Sequence, residues 1–254
     1  MQDLFSLTDQ VILVTGASRG LGWAMAQALA AAGAHVVLNG RDADRLQACQ
    51  QTLQDQGLLA SIAPFDVTDE AAGTRAIAGI VAQHGRLDVL VANAGIQHRQ
   101  PLTEFATTDF QRVLNTNLTA CFTLAREAAK PMQAQGSGRI IMTASIMCQV
   151  ARPTVPAYIA AKGGVMALVK ALAVELGPQG ITCNAIAPGY FATEMNTALV
   201  ENPEFSAWLE SRVPLQRWAQ PEEIAGAAVF LAAKAGAYVN GHILTVDGGM
   251  VINA

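Results

Sequence analysis

The sequence predicts an α/β fold: a doubly wound parallel sheet of seven strands with helices on both faces, in a single domain spanning residues 1–254. Three observations carry this. Strand and helix patterns alternate from one end to the other. A glycine-rich turn stands between the first strand pattern and the first helical one. Hydrophobic residues make up 52% of the chain and charged ones only 14%, which suits a parallel sheet covered on both faces. A large subunit interface would account for more of that apolar surplus.

The first strand is expected at 10–15, where Val11-Ile-Leu-Val14 is a short apolar run rich in β-formers. A helix over 20–32 follows, stopped by Gly33. Further strands are expected at 35–39, 59–64, 89–93, 139–144, 182–187 and 242–246. Helices fill the gaps at 43–56, 70–84, 108–134, 155–176 and 221–233, with Asp42 as the cap of the first of these. There is no repeat, low-complexity tract or linker. Residues 190–218 break the alternation. This segment is rich in aromatics and follows a strand's C-terminal end, where ligands bind in such sheets, so it reads as a substrate lid. The plainer alternative is a surface excursion that closes the core.

The net charge of −4, from 16 Lys and Arg against 20 Asp and Glu, argues against nucleic-acid binding. No membrane helix is expected, because the most apolar run, 157–176, contains Lys162, Lys170 and Glu175. Met1-Gln-Asp-Leu-Phe-Ser6 has neither the basic region nor the apolar run of a leader. Cys49, Cys121, Cys148 and Cys183 are scattered, which reads as reduced thiols in a cytoplasmic protein. His35, His84, His98 and His242 have no ligand spacing, so no metal is expected.

Two motifs carry chemistry. In Thr15-Gly-Ala-Ser-Arg-Gly-Leu-Gly22, Gly16 suits a tight turn. Gly20 lets the backbone approach a pyrophosphate at the helix N-terminus, and Gly22 permits close helix–strand packing. The second motif is Tyr158-Ile-Ala-Ala-Lys162, preceded at thirteen residues by Ser145. Residues four apart stand on one face of a helix. An ammonium beside a phenol favours the phenolate, so the pair is suited to moving a proton on and off an alcohol oxygen.

The coenzyme is expected to be NADP rather than NAD. The acid that would hold a ribose 2′-hydroxyl should end the second strand, where Asn39-Gly-Arg41 stands instead. Arg41 and Arg19 are placed to face a 2′-phosphate.

Together these motifs resemble the short-chain dehydrogenase/reductase family, with its Rossmann-type fold, along essentially the whole chain. The resemblance implies cofactor contacts from Gly16, Ser18, Arg19, Gly20, Leu21 and Gly22, and from Asp66 and Val67 at the adenine. It adds Asn93 and Gly95, with Ala92 standing where an Asn is usual, and Pro188, Gly189 and Thr193 near the nicotinamide. It implies a catalytic set of Asn117, Ser145, Tyr158 and Lys162. In that set Ser145 donates to the substrate oxygen, Lys162 also holds the nicotinamide ribose, and Asn117 orders a water leading from Lys162 to solvent. It further implies a homotetramer. Segments such as Asn93-Ala-Gly-Ile-Gln97 and Ala187-Pro-Gly-Tyr-Phe-Ala-Thr-Glu-Met195 are most similar to the gluconate 5-dehydrogenase branch, whose members interconvert gluconate and 5-keto-gluconate. The chain departs from that branch at Met147-Cys148-Gln149 and His98-Arg99.

A sugar acid brings a carboxylate that needs a cation in an apolar cleft. Arg99 is the first candidate and Arg152 the second, with Ser145, Tyr158, Met147 and Tyr190 also expected at the substrate. A 3-oxoacyl-carrier-protein reductase shares the general hallmarks, and a non-catalytic nucleotide-binding sensor is the alternative of another class.

Overall fold

The computed structural model describes residues 2–253, with side chains from residue 4; Met1, where the segment read as lacking a leader begins, and Ala254 lie outside the described residues. Seven strands form one sheet: β1 (Val11–Val14), β2 (His35–Gly40), β3 (Ala60–Pro64), β4 (Val89–Ala92), β5 (Gly138–Thr143), β6 (Ile181–Pro188) and β7 (Ile243–Val246). Their order is β3-β2-β1-β4-β5-β6-β7 and every pair is parallel. Each expected strand is present, with no end shifted by more than one residue.

A short helix, α1 (Gln2–Phe5), opens the chain. The others are α2 (Gly20–Ala31), α3 (Ala43–Asp55), α4 (Glu70–His84), α5 (Thr107–Leu114), α6 (Ala120–Gln135), α7 (Pro156–Leu176), α8 (Thr197–Val200), α9 (Pro203–Arg212) and α10 (Ala225–Ala232). Asp42 caps α3 by accepting from the Arg45 N–H at 3.0 Å, and Asp69 caps α4 in the same way. Two cores sandwich the sheet. One packs Leu13, Leu90, Ile140 and Cys183 beneath α4, α6 and α7. The other packs Ile12, Val36, Val91 and Ile186 beneath α2 and α10.

Two expected helices differ in detail. The segment expected as one helix over 108–134 contains a π-helical turn, Asn115–Thr119, between α5 and α6. Extra residues of this kind are invisible to a 3.6-residue period and often mark functional sites. The last expected helix, 221–233, begins as a 3₁₀ turn, Pro221–Ile224, and only then becomes α10.

With its trailing turn, α7 is long and apolar enough, by length and composition, to cross a membrane. Its buried positions Ala157, Ala161, Val165, Val169 and Ala173 repeat every fourth residue, a single stripe against the sheet. The stripe fixes the rotation of α7 and so turns Tyr158 and Lys162 toward the C-terminal ends of the strands.

The 190–218 excursion carries α8 and α9. Its base is pinned: Ala192 donates to the Ala219 carbonyl and Ala219 donates to the Tyr190 carbonyl. A third apolar cluster lies beneath it, joining Leu209, Phe205 and Trp218 of the excursion to Ile146 and Met147 after β5 and to Met250.

Candidate active site

The strand order reverses between β1 and β4, and their C-terminal ends open a crevice there. A cleft of about 1180 Å³ runs from it across the ends of β2 and β5 to the excursion. Thr15 braces the crevice. Its Oγ1 accepts from the N–H groups of Asn93 (2.9 Å) and Ala94 (3.0 Å). The Asn93 amide donates back to the Thr15 carbonyl at 3.0 Å, and its Oδ1 accepts from Thr143 Oγ1 at 3.2 Å. Asn93, expected as a cofactor contact, lines the cleft while its side-chain amide joins β1, β4 and β5. Ala92, where the family has a first Asn, faces the core at 2% exposure.

Gly16 adopts φ +63°, and a Cβ on Gly22 would lie 2.2 Å from the Gly16 carbonyl oxygen. The turn thus tolerates no side chain at Gly22. Arg19 is the N-cap residue of α2 and makes no side-chain cap bond. The first N–H groups of this twelve-residue helix, with Gly20, Leu21 and Gly22 at its start, face the cleft without a cap. Ser18 lines the same wall. A glycine cradle at an uncapped helix N-terminus fits a diphosphate.

At the end of β2, Asn39 is 1% exposed, and its Nδ2 donates to the carbonyls of Ala63 (3.0 Å) and Phe65 (3.1 Å) on the β3 side. It serves as a strut between β2 and the chain after β3 rather than as a free ribose ligand. Its Oδ1 is buried without a hydrogen-bond partner. Arg41 is the exposed cation here, 3.9 Å from Asp66. Asp66 accepts from both the N–H and the hydroxyl of Thr68, bonds that hold its carboxyl below the usual range. Val67 is buried beside it.

Two residues that sequence reasoning missed stand here. Arg45, in the first turn of α3, and Arg19 both donate to Glu194, the residue after Thr193. Arg45 was legible as the position one turn beyond Arg41. Nothing local in the sequence signals Glu194.

Ser145 follows β5 and is 7% exposed; its Oγ accepts from the Met147 N–H at 3.2 Å. That bond leaves the hydroxyl hydrogen free. Tyr158 sits in the first turn of α7 and lines the cleft with Ser145. Lys162, one turn on, is 3% exposed, and its Nζ donates to the Thr143 carbonyl and lies 5.6 Å from the centre of the Tyr158 ring.

Asn117 is fully buried in the π turn. Its Oδ1 accepts from the Ile96 N–H and its Nδ2 donates to the Ile96 carbonyl, both at 2.8 Å. The side chain clasps the chain after Gly95 like a strand partner. A Cβ on Gly164 would come within 2.6 Å of Leu118, so this glycine lets the π turn lie against α7.

On the substrate side, Arg152 donates to the Tyr190 hydroxyl at 3.2 Å and lies 5.1 Å over the Phe205 ring. Arg99 donates to Gln97 Oε1 at 2.9 Å. Burial, and then the like charge of Arg152, lower the Arg99 guanidinium from its ordinary value. Neither arginine forms an ion pair among the described residues. Met147 is 7% exposed beneath the excursion but reaches the cleft wall. Pro188 ends β6, Gly189 packs on Asp247, and Thr193 stands over Gly20.

A family model described as Enoyl-(Acyl carrier protein) reductase matches residues 16–251. The chain belongs to the short-chain dehydrogenase/reductase family. It is 46% identical over 251 residues to the gluconate 5-dehydrogenase of Gluconobacter oxydans, covering 99% of this chain and 98% of the relative. It is 42% identical over 252 residues to the 5-keto-D-gluconate 5-reductase of Escherichia coli, covering 99% of each. The crystal structure of a gluconate 5-dehydrogenase from Burkholderia cenocepacia in complex with NADP and tartrate superposes with a TM-score of 0.97. That comparison has 42% identity and covers 100% of this chain and 99% of the other. As a member of this family with such relatives, the protein is an oxidoreductase acting on a CH–OH group.

Proposed function

We propose that the protein is an NADP-dependent oxidoreductase that interconverts gluconate and 5-keto-gluconate, or a closely related sugar-acid pair. One observation supports this above the others. Two guanidiniums without carboxylate partners, Arg99 and Arg152, share a cleft with Ser145, Tyr158 and Lys162 and with a cradle suited to a dinucleotide. The relatives named above act on this substrate pair, and a structural neighbour binds NADP.

When bound, the nicotinamide supplies or accepts the hydride. The chain does the rest. Its cradle residues hold the coenzyme: Gly16, Ser18, Gly20, Leu21 and Gly22 at the diphosphate, Asp66 and Val67 at the adenine, and Gly95, Pro188, Gly189 and Thr193 toward the nicotinamide. Arg19 and Arg41 face the 2′-phosphate. In reduction, Tyr158 gives its phenolic proton to the carbonyl oxygen as hydride arrives at carbon. The Ser145 hydroxyl donates to the same oxygen as charge builds on it. The Lys162 ammonium stabilises the phenolate left behind, and the Thr143 carbonyl fixes that ammonium in place. In oxidation the same groups act in reverse. The amide of Asn117 is occupied by Ile96, so any part Asn117 takes in the proton path falls to its main-chain carbonyl. Arg99, with Arg152 beside it, holds the substrate carboxylate, while Tyr190 and Met147 line the site. The excursion at 190–218 acts as the lid, hinged where residues 190–192 pair with Ala219.

The reading includes a homotetramer in the cytoplasm. The outward face of α7, with Val174 79% exposed, is apolar enough to meet a second copy. A monomer in sedimentation at micromolar concentration would contradict that. The activity is tested by NADPH oxidation with 5-keto-gluconate, with an acetoacetyl thioester, and with neither. Turnover with the thioester alone would favour the carrier-protein reductase reading, and turnover with neither keto compound would count against both.

A further inference from the structure

Three arginines surround the end of β2, on three different elements. Arg41 follows the strand directly, Arg19 belongs to the glycine turn, and Arg45 lies on the first turn of α3. All three line one end of the cleft. Arg19 and Arg45 do not stand free. Glu194, at the root of the excursion, reaches across the cleft mouth to both. Its Oε2 accepts from Arg19 Nη1 at 2.8 Å and its Oε1 accepts from Arg45 Nη2 at 3.2 Å. One oxygen for each guanidinium is the arrangement that two oxygens of a phosphate would take.

We propose that Glu194 is a specificity-determining residue for the coenzyme: an internal anion that competes with the ribose 2′-phosphate for Arg19 and Arg45. This rests on the reading that the coenzyme is NADP. The phosphate wins the competition because it brings roughly twice the charge of a carboxylate and one more acceptor oxygen. The clasp is also cheap to open. Its side chains are 59%, 46% and 52% exposed for Arg19, Arg45 and Glu194, and exposed ion pairs contribute little. A coenzyme without the phosphate leaves the clasp closed and loses nothing to it. Glu194 therefore lowers the preference for the phosphorylated coenzyme below what three arginines alone would give. The clasp also joins the lid to coenzyme choice. Glu194 begins the 3₁₀ turn Glu194–Asn196, so its release by the phosphate frees the lid's first turn from the glycine loop and α3.

The test is calorimetric titration of the wild type, Glu194→Gln and Arg45→Gln with 2′,5′-ADP and with 5′-AMP, which differ only in the 2′-phosphate. Glu194→Gln is expected to tighten 2′,5′-ADP about three- to tenfold and to leave 5′-AMP within about twofold, the range that loss of an exposed like charge gives. Arg45→Gln is expected to weaken 2′,5′-ADP alone. A Glu194→Gln variant that binds 2′,5′-ADP no better than wild type, or that tightens both nucleotides alike, overturns the proposal. A wild type with no preference for 2′,5′-ADP would instead contradict the NADP reading, and the ratio of variant to wild type would still judge Glu194.

Discussion

Lys162 donates to the main-chain carbonyl of Thr143, nineteen residues earlier in the chain and on the neighbouring strand end. The same Thr143 donates through its hydroxyl to Asn93, and Asn93 is tied in turn to Thr15. The ammonium proposed to assist catalysis and the glycine turn proposed to cradle the coenzyme are thus joined through three strand ends by protein hydrogen bonds alone. Rigid placement of this kind is what a hydride-transfer site requires, because the reacting groups gain only from held geometry.

Thr15→Val keeps the volume of that residue and removes the acceptor for two main-chain N–H groups. A buried donor left alone costs about 1–3 kcal/mol; these two are part-buried at the cleft, so the variant should lose about 1–2 kcal/mol of unfolding free energy. Urea denaturation measures this. Coenzyme affinity should fall as well, since the two donors lie at the crevice. An unchanged midpoint would show that the Thr15 bridge is not what holds β1 to β4.

Much of the fold was legible because its signals are local. All seven strands were readable from apolar runs, and the glycine turn from its spacing. What was not legible depends on long-range contacts. The Glu194–Arg19 pair spans 175 residues. The π turn around Asn117 adds a residue to a helix whose apolar pattern continues on either side. Asn39 read correctly as the absence of an acid at the end of β2, but its amide turned out to hold β3. A charge-switch variant with Asp there would set a carboxylate against the carbonyls of Ala63 and Phe65, and would cost stability as well as change coenzyme choice.

Arg99→Ala should raise the KM for 5-keto-gluconate by at least about tenfold, or about 1.4 kcal/mol of charged hydrogen bonding. The KM for NADPH should stay as it is. Arg152→Ala should act in the same direction and also loosen Tyr190, to which Arg152 donates. Steady-state kinetics with the acid and with a neutral ketose of similar size separate the effects. Equal wild-type activity on both substrates would show that the site does not read the carboxylate.

The rings of His35 and His84 lie 4.3 Å apart between centres, tilted by 49°, and His35 meets the Ser61 hydroxyl at 3.0 Å. Burial, and then His84, hold His35 below its ordinary value. The folded state therefore binds that proton less readily than the unfolded chain does. Its stability is undiminished above the unfolded value of about 6.5 and declines as the pH falls from there toward the folded value. Urea midpoints should drop as the pH falls below about 6.5, and His35→Gln should make that drop smaller. An identical pH slope in the variant would remove His35 as the cause.

The central claim is that Tyr158 carries the proton in an NADPH-dependent reduction of a keto sugar acid. The most direct measurement sets wild type beside Tyr158→Phe. It follows NADPH oxidation with 5-keto-gluconate, and NADPH affinity by titration of the same two proteins. Wild type is expected to turn over, while the variant loses about 10²- to 10⁴-fold in kcat and binds NADPH as before, since a general acid is worth about that much. No turnover by wild type, or a phenylalanine variant that keeps most of its rate, would contradict the account.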